Sequence, residues 1–402
     1  MKNVILTALI ATAMASCGKS STDAGQNVKT HWVSTWGTAV QLTEPHNMPP
    51  EPGLTGNTIR QRIRVSIGGD SLRLKISNEF GDDTLRIAGI NIAPALDSCN
   101  IDAQNIKDVL FSGQSEINLP AGESTLSDVV ALKFGTRADL AITICYNSAP
   151  ERLTGHPGSR TTSFIAVGNE LTSSSLANAV KTDHWYTIER IDVLAPEDYG
   201  TVAIVGNSIT DGRGSTTNCN NRWPDIFCER LLSNPETAKY GVLNMGIGGN
   251  CVVAGGLGPT ASTRFGRDVL EQPGIKYVVI FEGVNDIGTT PNTEATETAL
   301  IEAYTKMIEA AKAKGLTVYG ATITPFKESF YFTPEKETLR QNINNWIRTC
   351  GLYDAVIDLE KAICSADDQF IMDENLHDND HLHPNADGHR KLGESIDLNL
   401  FK

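Results

Sequence analysis

Positive charge is scarce in this sequence. Its 402 residues include 34 lysines and arginines against 48 aspartates and glutamates, which gives a formal net charge of −14. No basic cluster offsets this balance locally. Because surfaces that bind nucleic acids or anionic membranes need an excess of lysine and arginine, the composition argues against both kinds of partner.

Long apolar runs and metal-binding motifs are missing as well. No stretch approaches the ~20 apolar residues of a membrane-spanning helix. No Cys-x-x-Cys pair or histidine-rich cluster has zinc spacing, so we expect neither a metal nor another cofactor. The glycine-rich stretch GIGGN (Gly246–Asn250) lacks both the full G-x-G-x-x-G pattern and the lysine of a P-loop, which disfavours nucleotide binding.

The first residues, MKNVILTALIATAMASCGKSS, are typical of an export signal. Lys2 precedes the mostly apolar run Val4–Ala13, and small residues precede Cys17. Small residues before a cysteine resemble the bacterial lipobox, in which the cysteine is lipidated. We therefore predict a lipoprotein signal over residues 1–17 with lipidation at Cys17, a flexible tether over residues 18–30, and a place in the bacterial cell envelope with the lipid as the only membrane anchor. A plain secretory signal with an incidental cysteine is the alternative.

Seven further cysteines follow the signal. Export permits disulfides, but an odd number leaves at least one thiol unpaired. The pairings to test first are Cys219 with Cys228 or Cys251, and Cys350 with Cys364.

The periodicity of the chain changes near Pro196. Residues 31–196 contain short alternating runs such as IRQRIRVSIGG and ADLAITICYNS, separated by Gly, Asn, Asp and Pro turns, which predicts an all-β sandwich of the jelly-roll type. Residues 197–402 alternate apolar strands with helices, which predicts a parallel sheet covered on both faces. Strands are predicted at 202–205, 242–245, 277–281, 316–323 and 355–359, and helices at 223–232, 294–314, 334–350 and 386–398.

Polar and glycine-rich segments follow the predicted strands of the second domain. These are GNSITDG (206–212), NMGIGGN (244–250), EGVND (282–286) and, after the fifth strand and a loop, DHLHP (380–384). In an open parallel sheet the carboxyl ends of the strands face one crevice, where ligands bind. A serine, a glycine-rich backbone, an asparagine amide, an aspartate and a histidine therefore converge on one predicted site.

This ordered set resembles the SGNH hydrolases, an esterase and lipase superfamily whose blocks are GDS, a glycine, GxND and DxxH. The likeness covers roughly residues 202–398. With a β domain that opens near HWVSTWGTAV, the whole chain resembles secreted two-domain esterases, among them carbohydrate acetylesterases and GDSL-like lipases. The resemblance implies a three-layer, flavodoxin-like α/β domain after the sandwich.

Transferred onto this sequence, the resemblance makes Ser208 the nucleophile, His383 the general base and Asp380 the residue that orients the imidazole. The chemistry agrees, because a serine hydroxyl attacks well only when a neighbouring histidine takes its proton. A carboxylate on the other ring nitrogen fixes the tautomer and stabilises the imidazolium.

The resemblance also implies an oxyanion hole. Its donors are the backbone N–H groups of Ser208 and Gly249 and the side-chain amide of Asn285, with Gly248 as the alternative to Gly249. Glycine lets the backbone approach a substrate without a clashing Cβ.

Two features depart from the family pattern. The residue before Ser208 is Asn207, where the family usually has aspartate, and this raises the prospect of an altered pocket. The letters GDSL occur instead at Gly69–Leu72. There, alternating runs flank Gly68, Gly69 and Asp70, which predicts a hairpin turn with Ser71 opening the return strand, so Ser71 is not expected to be catalytic.

The sequence thus predicts a serine esterase that removes a short O-acyl group, in the first place acetyl, from a small molecule or glycan through an acyl-enzyme. The alternatives are a lipase for longer acyl chains and a glycan-binding surface lipoprotein with a degenerate hydrolase domain. The sequence leaves the oligomeric state open.

Overall fold

The computed structural model describes residues 29–402. The predicted signal, the lipidation site Cys17 and nearly all of the tether lie outside these residues. Within them, no helix has both the length and the apolar character needed to cross a membrane.

The N-terminal part is built from antiparallel strands. A five-stranded sheet has the order β1-β15-β4-β8 with β9 beside β4, and a seven-stranded sheet has the order β13-β12-β3-β10-β5-β6 with β7 beside β5. A small third sheet contains β14, β11 and β2. The strands are β1 (Thr30–Gly37), β2 (Gln41–Leu42), β3 (Asn57–Arg64), β4 (Gly69–Ser77), β5 (Leu85–Pro94), β6 (Lys107–Val109), β7 (Ile117–Leu119), β8 (Ser124–Leu126), β9 (Val130–Phe134), β10 (Asp139–Ser148), β11 (Thr154–His156), β12 (Ser163–Val167), β13 (Val180–Thr182), β14 (Trp185–Tyr186) and β15 (Ile188–Pro196).

The two large sheets share one apolar core, which makes this region sandwich-like. Ile59, Ile92 and Ile142 from the seven-stranded sheet lie in the same buried cluster as Leu74 and Ile191 from the five-stranded sheet. Successive residues of a strand point to opposite faces, and strand β9 shows this as strict alternation of buried and exposed residues. Apolar residues of the alternating runs therefore line the inside of this sandwich, although strands β3 and β10 are buried along most of their length.

The predicted hairpin at Gly68–Asp70 is wrong. Strand β3 pairs with β10 and β12, whereas β4 pairs with β15, β8 and β9, so the chain crosses from one sheet to the other here. The glycines serve close packing, because a Cβ on Gly68 would lie 2.5 Å from the carbonyl oxygen of Phe134 and one on Gly69 would lie 2.3 Å from Val193.

The C-terminal part is a parallel α/β domain. Its strands are β16 (Gly200–Gly206), β17 (Tyr240–Gly246), β18 (Ile275–Phe281), β19 (Thr317–Ala321) and β20 (Ala355–Ile357). They form a five-stranded sheet in the order β17-β16-β18-β19-β20, and every pair is parallel. This is the flavodoxin-like order 2-1-3-4-5, and every residue of the inner strand β16 is buried.

Helices surround this sheet, and apolar clusters fill the space on its two faces. The helices are α1 (Ser208–Asp211), α2 (Trp223–Ser233), α3 (Ala261–Phe265), α4 (Val284–Thr289), α5 (Thr293–Ala313), α6 (Pro334–Thr349), α7 (Leu359–Ile363) and α8 (Ala386–Ser395). The predicted fifth strand was too long, because Asp358 caps α7 by accepting a hydrogen bond from the Lys361 N–H. The predicted last helix ends at Ser395 rather than near Leu398, where a 3-10 turn begins.

The sandwich packs directly on the parallel sheet. The Ser34 N–H of β1 donates to the carbonyl oxygen of Pro273 at 2.9 Å, and the Thr201 hydroxyl of β16 donates to the carbonyl oxygen of Ser34 at 2.7 Å. Strand β1 therefore joins the two regions through backbone groups as well as side chains.

The suggested disulfides are absent from residues 29–402. All seven cysteines there are free thiols. Cys219 is exposed, whereas Cys228 and Cys251 are buried, and burial raises the pKa of the Cys228 and Cys251 thiols to about 12.

Candidate active site

Ser208 lies where strand β16 gives way to helix α1. The side-chain oxygen of Asn207 accepts a hydrogen bond from the Ile209 N–H at 3.1 Å and so caps the helix. A Cβ at Gly206 would lie 2.1 Å from the Thr210 hydroxyl, so the tight turn requires glycine there. The turn holds the largely buried Ser208 at the carboxyl edge of the parallel sheet.

A chain of hydrogen bonds links Ser208 to an acid. The Ser208 hydroxyl lies 2.8 Å from Nε2 of His383, and Nδ1 of His383 lies 2.6 Å from Oδ2 of Asp380. Since a carboxylate accepts, Nδ1 carries the hydrogen and Nε2 is free to accept the serine proton. The structure thus brings together the three residues that the sequence singled out as a triad.

Asp380 is held as a carboxylate. Partial burial would raise its pKa, but the imidazole of His383 and the backbone N–H groups of Leu382 and His383 donate to it, and together they hold the pKa of Asp380 well below its usual range. The acid is therefore ionised wherever the protein is folded near neutral pH, which suits the orientation of an imidazole.

The predicted oxyanion donors face the same cleft. Gly249, with φ 69°, lines it beside Ser208 and Asn285. One N–H of the Asn285 amide donates to the carbonyl oxygen of Asn250 at 2.7 Å, and its oxygen accepts from the Tyr331 hydroxyl at 3.0 Å. Tyr331 thereby fixes which end of the amide is the donor and leaves its second N–H for a ligand. Gly248 lines the cleft too, so both glycine alternatives stay open.

Asp286 supports the loop that carries these glycines. Its carboxylate accepts hydrogen bonds from the N–H groups of Val252 at 2.8 Å and Val253 at 3.0 Å, while burial raises its pKa to about 6. Asp286 is thus a brace for the loop after strand β17.

Asn207 has a partner that the sequence analysis missed. Its Nδ2 donates to Oε2 of the buried Glu282 at 3.0 Å, and the Gly283 N–H donates to the same oxygen. Burial raises the pKa of Glu282 to about 8, against the opposing charge of Arg264. Glu282 is part of the motif EGVND, but no local sequence pattern linked it to Asn207, which lies 75 positions earlier.

The sandwich region supplies one wall of the catalytic cleft, which has a volume of about 420 Å³. Sequence analysis did not find the residues of this wall, most of which lie in loops without a periodic pattern. The wall from the sandwich consists of Gln41, Glu44, Asn47, Pro157, Gly158, Arg160 and His184.

A buried pair joins the sandwich to the serine turn. Nε2 of His156 lies 2.9 Å from Oδ1 of Asp211, and its Nδ1 lies 2.9 Å from the carbonyl oxygen of Ala39. A carbonyl oxygen only accepts, so Nδ1 donates there, and Nε2 shares a proton with the carboxylate. Asp211 closes the helix that Ser208 opens, and a Cβ on Gly158 would lie 1.8 Å from it. The sandwich thus contacts a residue that lies three positions after Ser208 in the sequence.

No group of three or more His, Cys, Asp or Glu side chains within residues 29–402 is arranged to hold a metal ion. The chemistry that these contacts can support is nucleophilic attack by a serine with histidine as the base, which is the arrangement of serine hydrolases on several unrelated folds.

Comparison with known families gives the class more closely. Residues 204–391 match the model of the GDSL-like lipase/acylhydrolase family. Residues 204–391 thus form a GDSL-like lipase/acylhydrolase domain, as the sequence motifs predicted. No curated protein matches the chain.

Solved structures resemble about half of the chain. An acetyl xylan esterase is 22% identical, with 48% of this chain and 96% of that chain covered and a TM-score of 0.37. A carbohydrate acetylesterase from Sinorhizobium meliloti is 15% identical, with coverages of 49% and 96% and a TM-score of 0.38. A GDSL-like lipase from Bacteroides thetaiotaomicron is 20% identical, with coverages of 49% and 85% and a TM-score of 0.36.

Proposed function

We propose that the protein is an exported, lipid-anchored serine esterase that removes a short acyl group, in the first place acetate, from a carbohydrate. The observation that carries the proposal is the continuous contact from the Ser208 hydroxyl through His383 to Asp380. The family of residues 204–391 supports ester hydrolysis, and the sequence before residue 29 supports the export and the anchor.

The reaction follows from the contacts. Nε2 of His383 takes the proton of Ser208 as its Oγ attacks the ester carbonyl, and the oxyanion that forms accepts hydrogen bonds from Asn285 and the backbone of Ser208 and Gly249. The imidazolium then gives its proton to the leaving alcohol, which leaves an acyl-enzyme. Water attacks this ester with His383 again as the base, and the carboxylic acid departs.

The lining of the cleft favours an ester whose alcohol part is a sugar over an ester with a long acyl chain. Most side chains on the sandwich wall are polar, among them Gln41, Asn47 and His184. Exposed apolar side chains near the serine are confined to Leu257 and Phe330 among the residues that line the cleft. Burial of an acyl chain gains roughly 0.8 kcal/mol per CH₂ only where apolar contact is available, so Leu257 and Phe330 are the exposed side chains that a longer acyl chain would have to cover.

The test is the hydrolysis of p-nitrophenyl esters from acetate to laurate by the wild type and by Ser208→Ala. We expect the rate to be highest for acetate and to vanish in the variant. A maximum at long chains would keep the mechanism and make the protein a lipase. A folded wild type that cleaves no ester would refute the esterase and favour the glycan-binding alternative. Incorporation of radioactive palmitate into the full chain, lost in Cys17→Ala, tests the anchor separately.

A further inference from the structure

Two arginines that line the catalytic cleft have no carboxylate partner. Arg160 comes from the loop after strand β11 and Arg213 from the loop after helix α1. Within the part of the chain that the structure describes, neither side chain makes an ion pair or a hydrogen bond, and Nε of Arg160 is buried without an acceptor. A second pocket is lined by residues of both the sandwich and the α/β domain, and there Arg222 is by contrast paired with Asp225 at 2.6 Å.

The acids of the same cleft are already satisfied. The carboxylate of Glu44 accepts hydrogen bonds from the side chains of Gln41 and Asn47. Asp211 is paired with His156. The cationic groups are therefore the ones left for a ligand, in a chain whose net charge is −14.

The backbone of both arginines is fixed in place. The carbonyl oxygen of Arg160 accepts from the Asn218 N–H at 2.9 Å, so the loop from the sandwich is tied to the loop from the α/β domain. The carbonyl oxygen of Arg213 accepts from Nε2 of the buried His389 at 2.9 Å. Burial lowers the pKa of His389 to about 4, so this histidine is neutral at physiological pH and adds no competing charge.

We propose that Arg160 and Arg213 bind an anionic group on the alcohol part of the substrate, a carboxylate or a sulfate carried by the same sugar as the acyl ester. The inference rests on the proposed function of the cleft and names the class of carbohydrate it takes, an acidic one. A guanidinium suits this role because its fork of donors matches the oxygens of such groups. An ester held at Ser208 would then have its sugar ring oriented by the charges of Arg160 from the sandwich and Arg213 from the α/β domain.

The test compares two anionic sugars with an uncharged one. The substrates are an O-acetylated methyl glucuronoside, its uncharged carboxamide, and an O-acetylated methyl glucoside 6-sulfate. For the wild type we expect kcat/KM for at least one anionic substrate to exceed that for the carboxamide by about 10-fold or more, as charge-assisted hydrogen bonds give. In Arg160→Ala/Arg213→Ala this ratio falls to about one, mainly through KM. Arg152→Ala removes an exposed arginine of the sandwich outside the cleft and keeps the wild-type ratio.

The readout is the ratio within each protein, so a general loss of activity cancels. A wild-type ratio near one for both anionic sugars, or a preference that survives the double variant, overturns the proposal. The carboxylate arm and the sulfate arm tell the two anions apart.

Failure of the esterase itself would give a different result. If no ester is cleaved, calorimetric titration of Ser208→Ala protein with the same sugars decides the question. Tighter binding of an anionic sugar than of the carboxamide, lost when both arginines are replaced, supports the proposal, whereas equal binding overturns it.

Discussion

Residues Gly69–Ser71 and Gly206–Ser208 differ in sequence at one position but lie in different structural environments. Ser71 lies within strand β4, where it is half-buried and faces Ala131 of the neighbouring strand. Ser208 lies at the end of a parallel strand, where a helix begins and His383 is 2.8 Å away. The literal GDSL belongs to the first site and the triad contacts belong to the second, so the place of a serine in the fold decides its chemistry more than its neighbours in sequence do.

Replacing each serine by alanine tests most directly which of the two is the nucleophile. Ser208→Ala should lower kcat for p-nitrophenyl acetate by at least about 10³-fold, because no other group can form the acyl-enzyme. Ser71→Ala should leave the rate unchanged, since its hydroxyl contacts no histidine or acid within residues 29–402. Peptide mapping after labelling with a fluorophosphonate provides the second measurement. Label on Ser71 instead of Ser208 would reverse our assignment.

The next effect concerns the contact between the two regions. His156→Ala leaves the carboxylate of Asp211 buried without its partner, and breaking a buried pair in this way typically costs about 3–5 kcal/mol. We expect that loss in the free energy of unfolding from urea titration, together with a fall in kcat because helix α1 loses its brace. His46→Ala is the control, since His46 is exposed on the same region. Equal stability of the two variants would show that the sandwich does not support the serine turn.

A somewhat smaller effect is expected at the oxyanion hole. Asn285→Ala removes a donor to the developing charge, and such a loss typically costs about 10²–10³ in kcat. Tyr331→Phe removes only the hydroxyl that orients the amide, so it should lower kcat less. Asn342→Ala, on the exposed face of helix α6, is the control. A change confined to KM in Asn285→Ala would mean that the amide binds the ground state instead.

How much of this site was predictable depended on the kind of signal each residue carried. Ser208, Asn285, Asp380 and His383 follow buried strands or lie in a motif of fixed order, and the structure brings all four to one edge of the sheet. Periodicity likewise predicted helix α5 within one residue at each end.

The residues that sequence analysis missed act across long separations. His156 contacts Asp211 from 55 positions away, and Arg160 reaches the cleft from a loop with no period of its own. Gly68 and Gly69 have the composition of a turn but serve a crossing between sheets, because sheet membership depends on strand pairing far away in sequence. Local sequence patterns predict secondary-structure elements and their ends. The contacts that the sandwich makes with the catalytic cleft and with helix α1 depend on tertiary packing, which local patterns do not predict.

The last comparison concerns Asn207, the residue by which the segment GNS differs from the family's GDS. Asn207→Asp would keep the helix cap, since aspartate caps as well as asparagine, but it would set a carboxylate against Glu282, whose Oε2 now accepts from Asn207 at 3.0 Å. Two carboxylates this close cannot both be ionised, so the folded variant must keep one proton on the pair, and to a higher pH than the wild type keeps its proton on Glu282.

The proton held at Glu282 fixes the sign of the pH dependence. In the wild type the pKa of Glu282 is already raised to about 8 by burial; the folded protein therefore binds more protons than the unfolded chain above the ordinary carboxyl range, and this contribution to stability declines as the pH rises towards 8. Asn207→Asp should carry the decline on to pH values above 8, and loss of the amide donor to Glu282 should cost about 1–3 kcal/mol at neutral pH. Asn207→Asp/Glu282→Gln should recover most of it, because the glutamine amide can donate to the new carboxylate. Urea titrations of the wild type, both single variants and the double variant between pH 5 and 9 measure the coupling. Additive effects in that cycle would mean that Asn207 and Glu282 act independently, whereas coupling would make the departure from the family spelling one half of a matched pair.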